Sequence, residues 1–132
     1  DIAIFAAAVA DYSPAHVADQ KLKKSGDEMT LTLTRTKDIL GSAREIMNFK
    51  GTLVGFAAET ENVVGNASAK CLRKQCDLVI ANDVSRQDIG FDSSENEVTL
   101  VYPDRHEALP QDSKEHLAFH LIEIIDGLRQ VD

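Results

Sequence analysis

The 132-residue sequence has no tryptophan, only two cysteines, three prolines and seven glycines, and its aromatic content is 5%. Cys71 and Cys76 are five positions apart, outside a CxxC spacing, so they are expected to be reduced, part-buried thiols rather than a metal or redox pair. No apolar run approaches the length that spans a bilayer, and no signal-peptide pattern opens the chain. The glycine fingerprint of dinucleotide-binding domains, the Walker A loop and the GxSxG elbow are all missing, which removes the mechanical parts of a dehydrogenase, a P-loop enzyme and an α/β-hydrolase. His116 and His120 share helical spacing without a third ligand or a neighbouring glutamate, so packing or surface positions are expected for them rather than a zinc site.

Positive charge is the other scarcity. Fourteen Lys and Arg face twenty-two Asp and Glu, a formal charge of -8 that repels nucleic acid and anionic membranes. A chain of this kind that binds a small anion must gather its cations locally. Two gatherings stand out: Lys21, Lys23 and Lys24 in one segment, and Lys70, Arg73 and Lys74 in another. Lys70 and Lys74 are four apart and share a helical face.

The chain has the size of one domain and ordinary globular composition, 43% apolar and 27% charged. Residues 2–8 form a short continuous apolar run, the pattern of a strand covered on both faces. Asp1 stands directly against that run, so the sequence reads as part of a longer domain. Residues 9–26 have neither period and form a long exposed excursion that carries the first lysine cluster. Residues 29–34 alternate as a half-exposed strand. Asp38 is placed to cap a helix bearing Ile39, Leu40, Ala43, Ile46 and Met47 on one stripe, with Gly51 as its stop. Residues 52–58 are a second buried strand, Thr60 the cap of a helix running to about Gln75, and residues 77–81 a third buried strand. Residues 82–96 read as loop, 97–102 as an alternating strand, and Ser113 caps a last helix with Leu117, Leu121, Ile124, Ile125 and Leu128 inward. Strands alternating with helices predict an α/β, Rossmann-like three-layer fold with a mainly parallel sheet and a long loop and strand excursion.

In such sheets ligands lie beyond the carboxyl ends of the strands. Three predicted strand ends, at residues 8–11, 57–60 and 81–83, each carry small residues followed by a polar or acidic one. Small side chains let a ligand approach the backbone, although they also fit under neighbouring helices. Asp11 and Asp83 are candidates for a magnesium shell, because Mg²⁺ commonly takes one or two carboxylates beside phosphate oxygens. Phe56 reads first as a core residue.

The ordered segments AAVADY (7–12), KLKK (21–24), KDIL (37–40), VGFAAET (54–60) and ANDVS (81–85), then Gly90-Phe91, Asn96 and Ser113-Lys114, resemble the synthetase domain of bacterial phosphopantothenoylcysteine synthetases, often fused behind a flavin-dependent decarboxylase. The resemblance covers nearly the whole chain, 1–132, as a partial synthetase domain whose N-terminal part is absent. It implies CTP-dependent ligation of 4′-phosphopantothenate to L-cysteine through an acyl-cytidylate, with Mg²⁺, in a cytoplasmic homodimer that uses neither nucleic acid nor membrane. It also implies roles by motif: Lys21 as the catalytic loop lysine at the phosphates, and Ala7, Asp11, Asp38, Ile39, Leu40, Gly41, Phe56, Lys70 and Lys74 as nucleotide-binding positions. Asp11 is the metal candidate. Asn82 belongs to a family motif and is a possible site residue; Arg35 receives no role. The competing readings are a non-catalytic nucleotide-binding or dimerisation fragment and, weakened by the missing glycine fingerprint, a dehydrogenase-like domain.

Overall fold

The structure is a computed structural model that describes residues 1–24, 26–85 and 93–129. Its elements are β1 (Ile2–Phe5), β2 (Tyr12–Pro14), β3 (Leu33–Arg35), α1 (Ile39–Glu45), β4 (Thr52–Glu59), α2 (Val63–Lys74), β5 (Leu78–Asp83), β6 (Glu95–Asn96), β7 (Val98–Val101), β8 (His106–Ala108), β9 (Asp112–Ser113) and α3 (Lys114–Gly127). They fall into two compact units, one of Asp1–Ala6 with Leu40–Asp132 and the other of Ala7–Ile39.

The first unit holds a five-stranded sheet in the order β1-β4-β5-β7-β8 among the described residues. β1, β4 and β5 run parallel, and β7 and β8 extend the sheet antiparallel. The central strands are apolar at successive positions because both faces are covered. On one face Val54, Leu78, Ile80 and Leu100 pack with Leu117, Leu121 and Ile125 of α3. On the other, Leu53, Val79, Ala81 and Val101 pack with Ala43 of α1 and Ala67 and Cys71 of α2. Small residues on α2 allow that helix to lie close to the sheet. The result is the Rossmann-like three-layer arrangement, with a parallel centre.

The ends of the helices depart from expectation in instructive ways. α1 stops at Glu45, before Gly51, and Ile46 and Met47 are exposed rather than part of its stripe. Asn48 takes the left-handed conformation (φ 53°), and the Phe49 N–H donates to the Ala43 carbonyl at 3.0 Å, closing the helix as a glycine would. The cap position of α2 is Asn62, also left-handed (φ 44°), rather than Thr60, and its side chain makes no capping bond. Gly65 leaves room for that side chain: a Cβ there would stand 2.5 Å from the Asn62 amide nitrogen. Ser113 caps α3 as expected, its hydroxyl accepting from the His116 N–H at 3.2 Å.

Two strands also differ. β1 ends at Phe5, and it is the edge of the described sheet. Ala3 and Phe5 join the core on the α2 side, while Ile2 and Ile4 on the other face remain 38% and 42% exposed. Among the described residues, β1 is therefore covered on one face only. β5 runs on to Asp83, so Asn82 and Asp83 lie in the sheet instead of a loop. Gly90 and Phe91 lie outside the described residues.

The second unit is built on an antiparallel ribbon in which Tyr12, Ser13 and Pro14 pair with Arg35, Thr34 and Leu33. Backbone bonds from Ala15 N to Thr32 O and from Thr36 N to Asp11 O, both 2.9 Å, continue it at either end. Of the alternating segment at 29–34, only its last residues form strand. Val17, Leu22, Met29, Leu31 and Leu33 are exposed.

Candidate functional site at the carboxyl ends of the parallel strands

β4 and β5 finish side by side, with Ala57 opposite Ala81, Ala58 opposite Asn82 and Glu59 opposite Asp83. The small residues expected there are in place, and several predicted site residues of the first unit meet around β4. Leu40 presses on Gly55, where a Cβ would come within 2.9 Å of Leu40 Cδ2. Lys70 of α2 reaches across to β4 and donates from Nζ to the Phe56 carbonyl at 2.5 Å. Phe56 itself is half-buried with its side chain against the α3-side core, so its backbone and not its ring faces the lysine. Lys74 is the last residue of α2, half-buried, one turn beyond Lys70. Gly41 lies half-buried within α1.

Ala7, Asp11, Lys21, Asp38 and Ile39 belong to the second unit, and all are exposed. The Ala7 carbonyl accepts from Val9 N at 3.0 Å, and the Thr36 hydroxyl donates to the Ala10 carbonyl at 2.5 Å. These bonds hold the backbone just before Asp11. Lys21 lies with Lys23 and Lys24 in the segment between β2 and β3. Ile39 opens α1 and Asp38 precedes it. Arg35, to which no role was given, faces Tyr12 across the ribbon; a hydrogen bond to Tyr12, then the charges of Tyr12 and Asp11, hold its guanidinium above its ordinary pKa.

The rim of β5 carries two polar residues of different character. The Val84 N–H donates to the Glu59 carbonyl at 2.9 Å, extending the β4–β5 ladder by one bond, and Asp83 accepts at Oδ1 from the Ser85 N–H (2.9 Å) and hydroxyl (2.6 Å), which closes a tight turn beyond it. Asn82 Oδ1 is buried and has no hydrogen-bond partner among the described residues. Sequence reasoning placed Asn82 in a loop and missed this. No group of three or more His, Cys, Asp or Glu is arranged to hold a metal among the described residues. An ion that takes most of its ligands from phosphate oxygens and water needs only one or two carboxylates, and the exposed Asp11 fits that requirement.

Other features are structural. Both cysteines are free and fully buried, and burial pushes each thiol up to about 11. His116 is exposed beside Asp112. At the opposite ends of the strands Arg44 donates to the carbonyls of Phe49 (3.0 Å), Gly51 (2.8 Å) and Gln75 (3.1 Å) and pairs with Asp77 at 2.7 Å. Asp77 in turn accepts from the Leu53 N–H at 2.7 Å. A cleft of about 620 Å³ lies there, lined by Arg44, Phe49, Lys50, Thr52, Asp77 and Arg129 among others, but its central guanidinium is spent on tying α1 to β4 and β5.

A sheet with a parallel centre, helices on both faces and small residues with polar groups at the carboxyl rim defines a Rossmann-like α/β domain. More particularly, the chain belongs to the family described as the DNA/pantothenate metabolism flavoprotein C-terminal domain, which matches residues 1–128. It is 45% identical over 130 residues to the coenzyme A biosynthesis bifunctional protein CoaBC of Vibrio vulnificus strain YJ016, covering 97% of this chain and 32% of that protein. The protein of the same name from Escherichia coli K12 is 41% identical over 128 residues, 95% of this chain and 32% of that one. The chain thus spans about a third of these relatives' length. Among solved structures it resembles the C-terminal domain of a coenzyme A biosynthesis bifunctional protein CoaBC, with a TM-score of 0.71, 32% identity, and coverage of 97% of this chain and 54% of that one. The DNA/pantothenate metabolism flavoprotein from Streptococcus pneumoniae shares the fold at 23% identity, with a TM-score of 0.73 and coverage of 96% and 62%.

Proposed function

We propose that this chain is the nucleotide-using part of a cytoplasmic ligase of coenzyme A biosynthesis that joins 4′-phosphopantothenate to L-cysteine at the expense of CTP. The observation that carries the reading is the family match across residues 1–128, with relatives named for coenzyme A biosynthesis. The ordered motifs at residues 7–12, 21–24, 37–40, 54–60 and 81–85 support it.

The reaction has two halves. A carboxylate oxygen of phosphopantothenate attacks the α-phosphorus of CTP; the new P–O bond forms as the bond to the bridging oxygen breaks, and pyrophosphate leaves. The cysteine amine then attacks the acyl carbon, CMP departs with the C–O electron pair, and the amine gives up a proton as the amide forms. Lys21 sits on an exposed segment and can follow charge as it builds on the phosphates. Lys70 and Lys74 add positive charge beside the rim of β4, which an acidic molecule needs to hold a triphosphate. By motif, Leu40, Gly41 and Phe56 of the first unit are nucleotide-binding positions, and so, in the second unit taken by itself, are Ala7, Asp38 and Ile39. Asp11 would hold a Mg²⁺ ion, which would supply charge neutralisation for the triphosphate.

Replacing Lys21 by Gln leaves the thermal unfolding of the native protein unchanged and slows pyrophosphate release from CTP and phosphopantothenate by roughly 10²–10³-fold, as loss of one preorganised donor does. Wild-type pyrophosphate release in the variant would refute the role of Lys21. Stabilisation by CTP without amide formation from cysteine would instead leave a nucleotide-binding domain with no turnover.

The exposed apolar side chains of the second unit, Val17, Met29, Leu31 and Leu33 among them, support a homodimer paired through that ribbon.

A further inference from the structure

We propose that the side-chain carbonyl of Asn82 receives a hydrogen bond from an amino nitrogen of a bound substrate, and thereby sets which substrate the rim of the sheet selects. The inference rests on the ligase reading above and assigns one residue of that site a task.

Alternation along β5 sends Leu78, Ile80 and Asn82 to the face covered by α3, and Val79, Ala81 and Asp83 to the face covered by α2. Asn82 therefore occupies the third position of an otherwise aliphatic row. Its register neighbours are Ala58 on β4 and Val98 on β7, and neither carries a side-chain donor. Its Oδ1 is buried and unpaired among the described residues. Asp83, one residue on, is already engaged with Ser85.

A buried acceptor without a donor is unfavourable, and a leucine or valine would continue the row at no such cost. The amide stands at the carboxyl end of a central parallel strand, where α/β sheets receive their ligands. A buried oxygen there discriminates by chemistry: it welcomes an N–H and rejects a second carbonyl. Both substrates that distinguish the proposed reaction present an amino nitrogen, the exocyclic amine of the cytosine ring and the amine of the incoming amino acid.

The test uses the full native polypeptide that carries this chain, with Asn82→Leu as the main variant and Asn82→Ala as a second should the larger side chain disturb folding. Two readouts separate the sources: the preference for CTP over UTP in pyrophosphate release, and the KM for cysteine in amide formation. The variant is expected to unfold at the wild-type temperature or above, because an acceptor with no partner among the described residues has been replaced by apolar surface. One readout is expected to worsen by about tenfold, the loss of one hydrogen bond. A collapse of the CTP preference assigns the bond to the base; a raised cysteine KM with unchanged pyrophosphate release assigns it to the amino acid. A folded variant with both readouts at wild-type values overturns the inference, as it would if Oδ1 met only solvent. If the wild-type protein forms no amide from these substrates, the ligase reading has failed instead, and the thermal shift by CTP against UTP still reports on Asn82.

Discussion

At the scale of single residues, burial decides more than composition. Cys71 and Cys76 were legible as reduced thiols because two cysteines without a motif seldom do anything else. Their full burial depends on Ala43, Leu53 and Val79, which come from three different elements. Both thiols are pushed up to about 11, first by desolvation, with nearby negative charge adding to it. The native state thus favours the neutral thiol more than the unfolded chain does, so its contribution to stability is complete below pH 9. That contribution declines as pH rises toward 11, where the unfolded state gains thiolate first. Denaturant midpoints measured from pH 7 to 11 are expected to fall above pH 9, and less so for a Cys71→Ala, Cys76→Ala double variant. At pH 8 a disulfide reagent is expected to modify both thiols only at the rate of unfolding. Lys70 teaches the same lesson from the polar side. Its helical spacing to Lys74 was visible in the sequence; its 2.5 Å bond to the Phe56 carbonyl was not, because that partner lies fourteen residues away on a strand.

At the scale of elements, the type and order of the main helices and strands follow from periodicity, while their ends answer to neighbours. Thr60 and Asn62 both carry side chains that cap helices, and local chemistry does not choose between them; β4 running on to Glu59 leaves the turn to be made at Asn62. α2 is capped by Gln75, left-handed at φ 52° with its N–H on the Cys71 and Leu72 carbonyls, a position that glycine fills without the Cβ penalty. Gln75→Gly is therefore expected to stabilise the protein by about 0.5–1 kcal/mol, read as a higher urea midpoint at constant slope. Ser113→Ala is expected to cost about 1 kcal/mol, since the His116 N–H loses its acceptor. A Gln75→Gly variant less stable than wild type would show that its side chain does more than tolerate the turn.

At the scale of the whole molecule, the net charge of -8 makes anion binding an exception that must be built locally. If the proposed nucleotide site is present, CTP at a hundredfold its Kd raises the unfolding free energy by about 2.7 kcal/mol, and ATP at equal concentration raises it less. Equal shifts by the two nucleotides would remove cytidine selectivity. Light scattering is expected to give twice the protomer mass, and Leu33→Glu on the exposed ribbon is expected to return the protomer. By itself the sequence determined the alternation of strands and helices and the two lysine clusters in an acidic chain, because periodicity and charge are carried by residues close together; the likeness to the family rests on its ordered motifs. Only the tertiary structure decided that β5 extends far enough to bring Asn82 and Asp83 into the sheet, that Ala3 and Phe5 of β1 join the core on the α2 side, and that Arg44 binds three carbonyls and Asp77. Each of these depends on which strand lies beside which, and that pairing joins residues tens of positions apart that no local pattern relates.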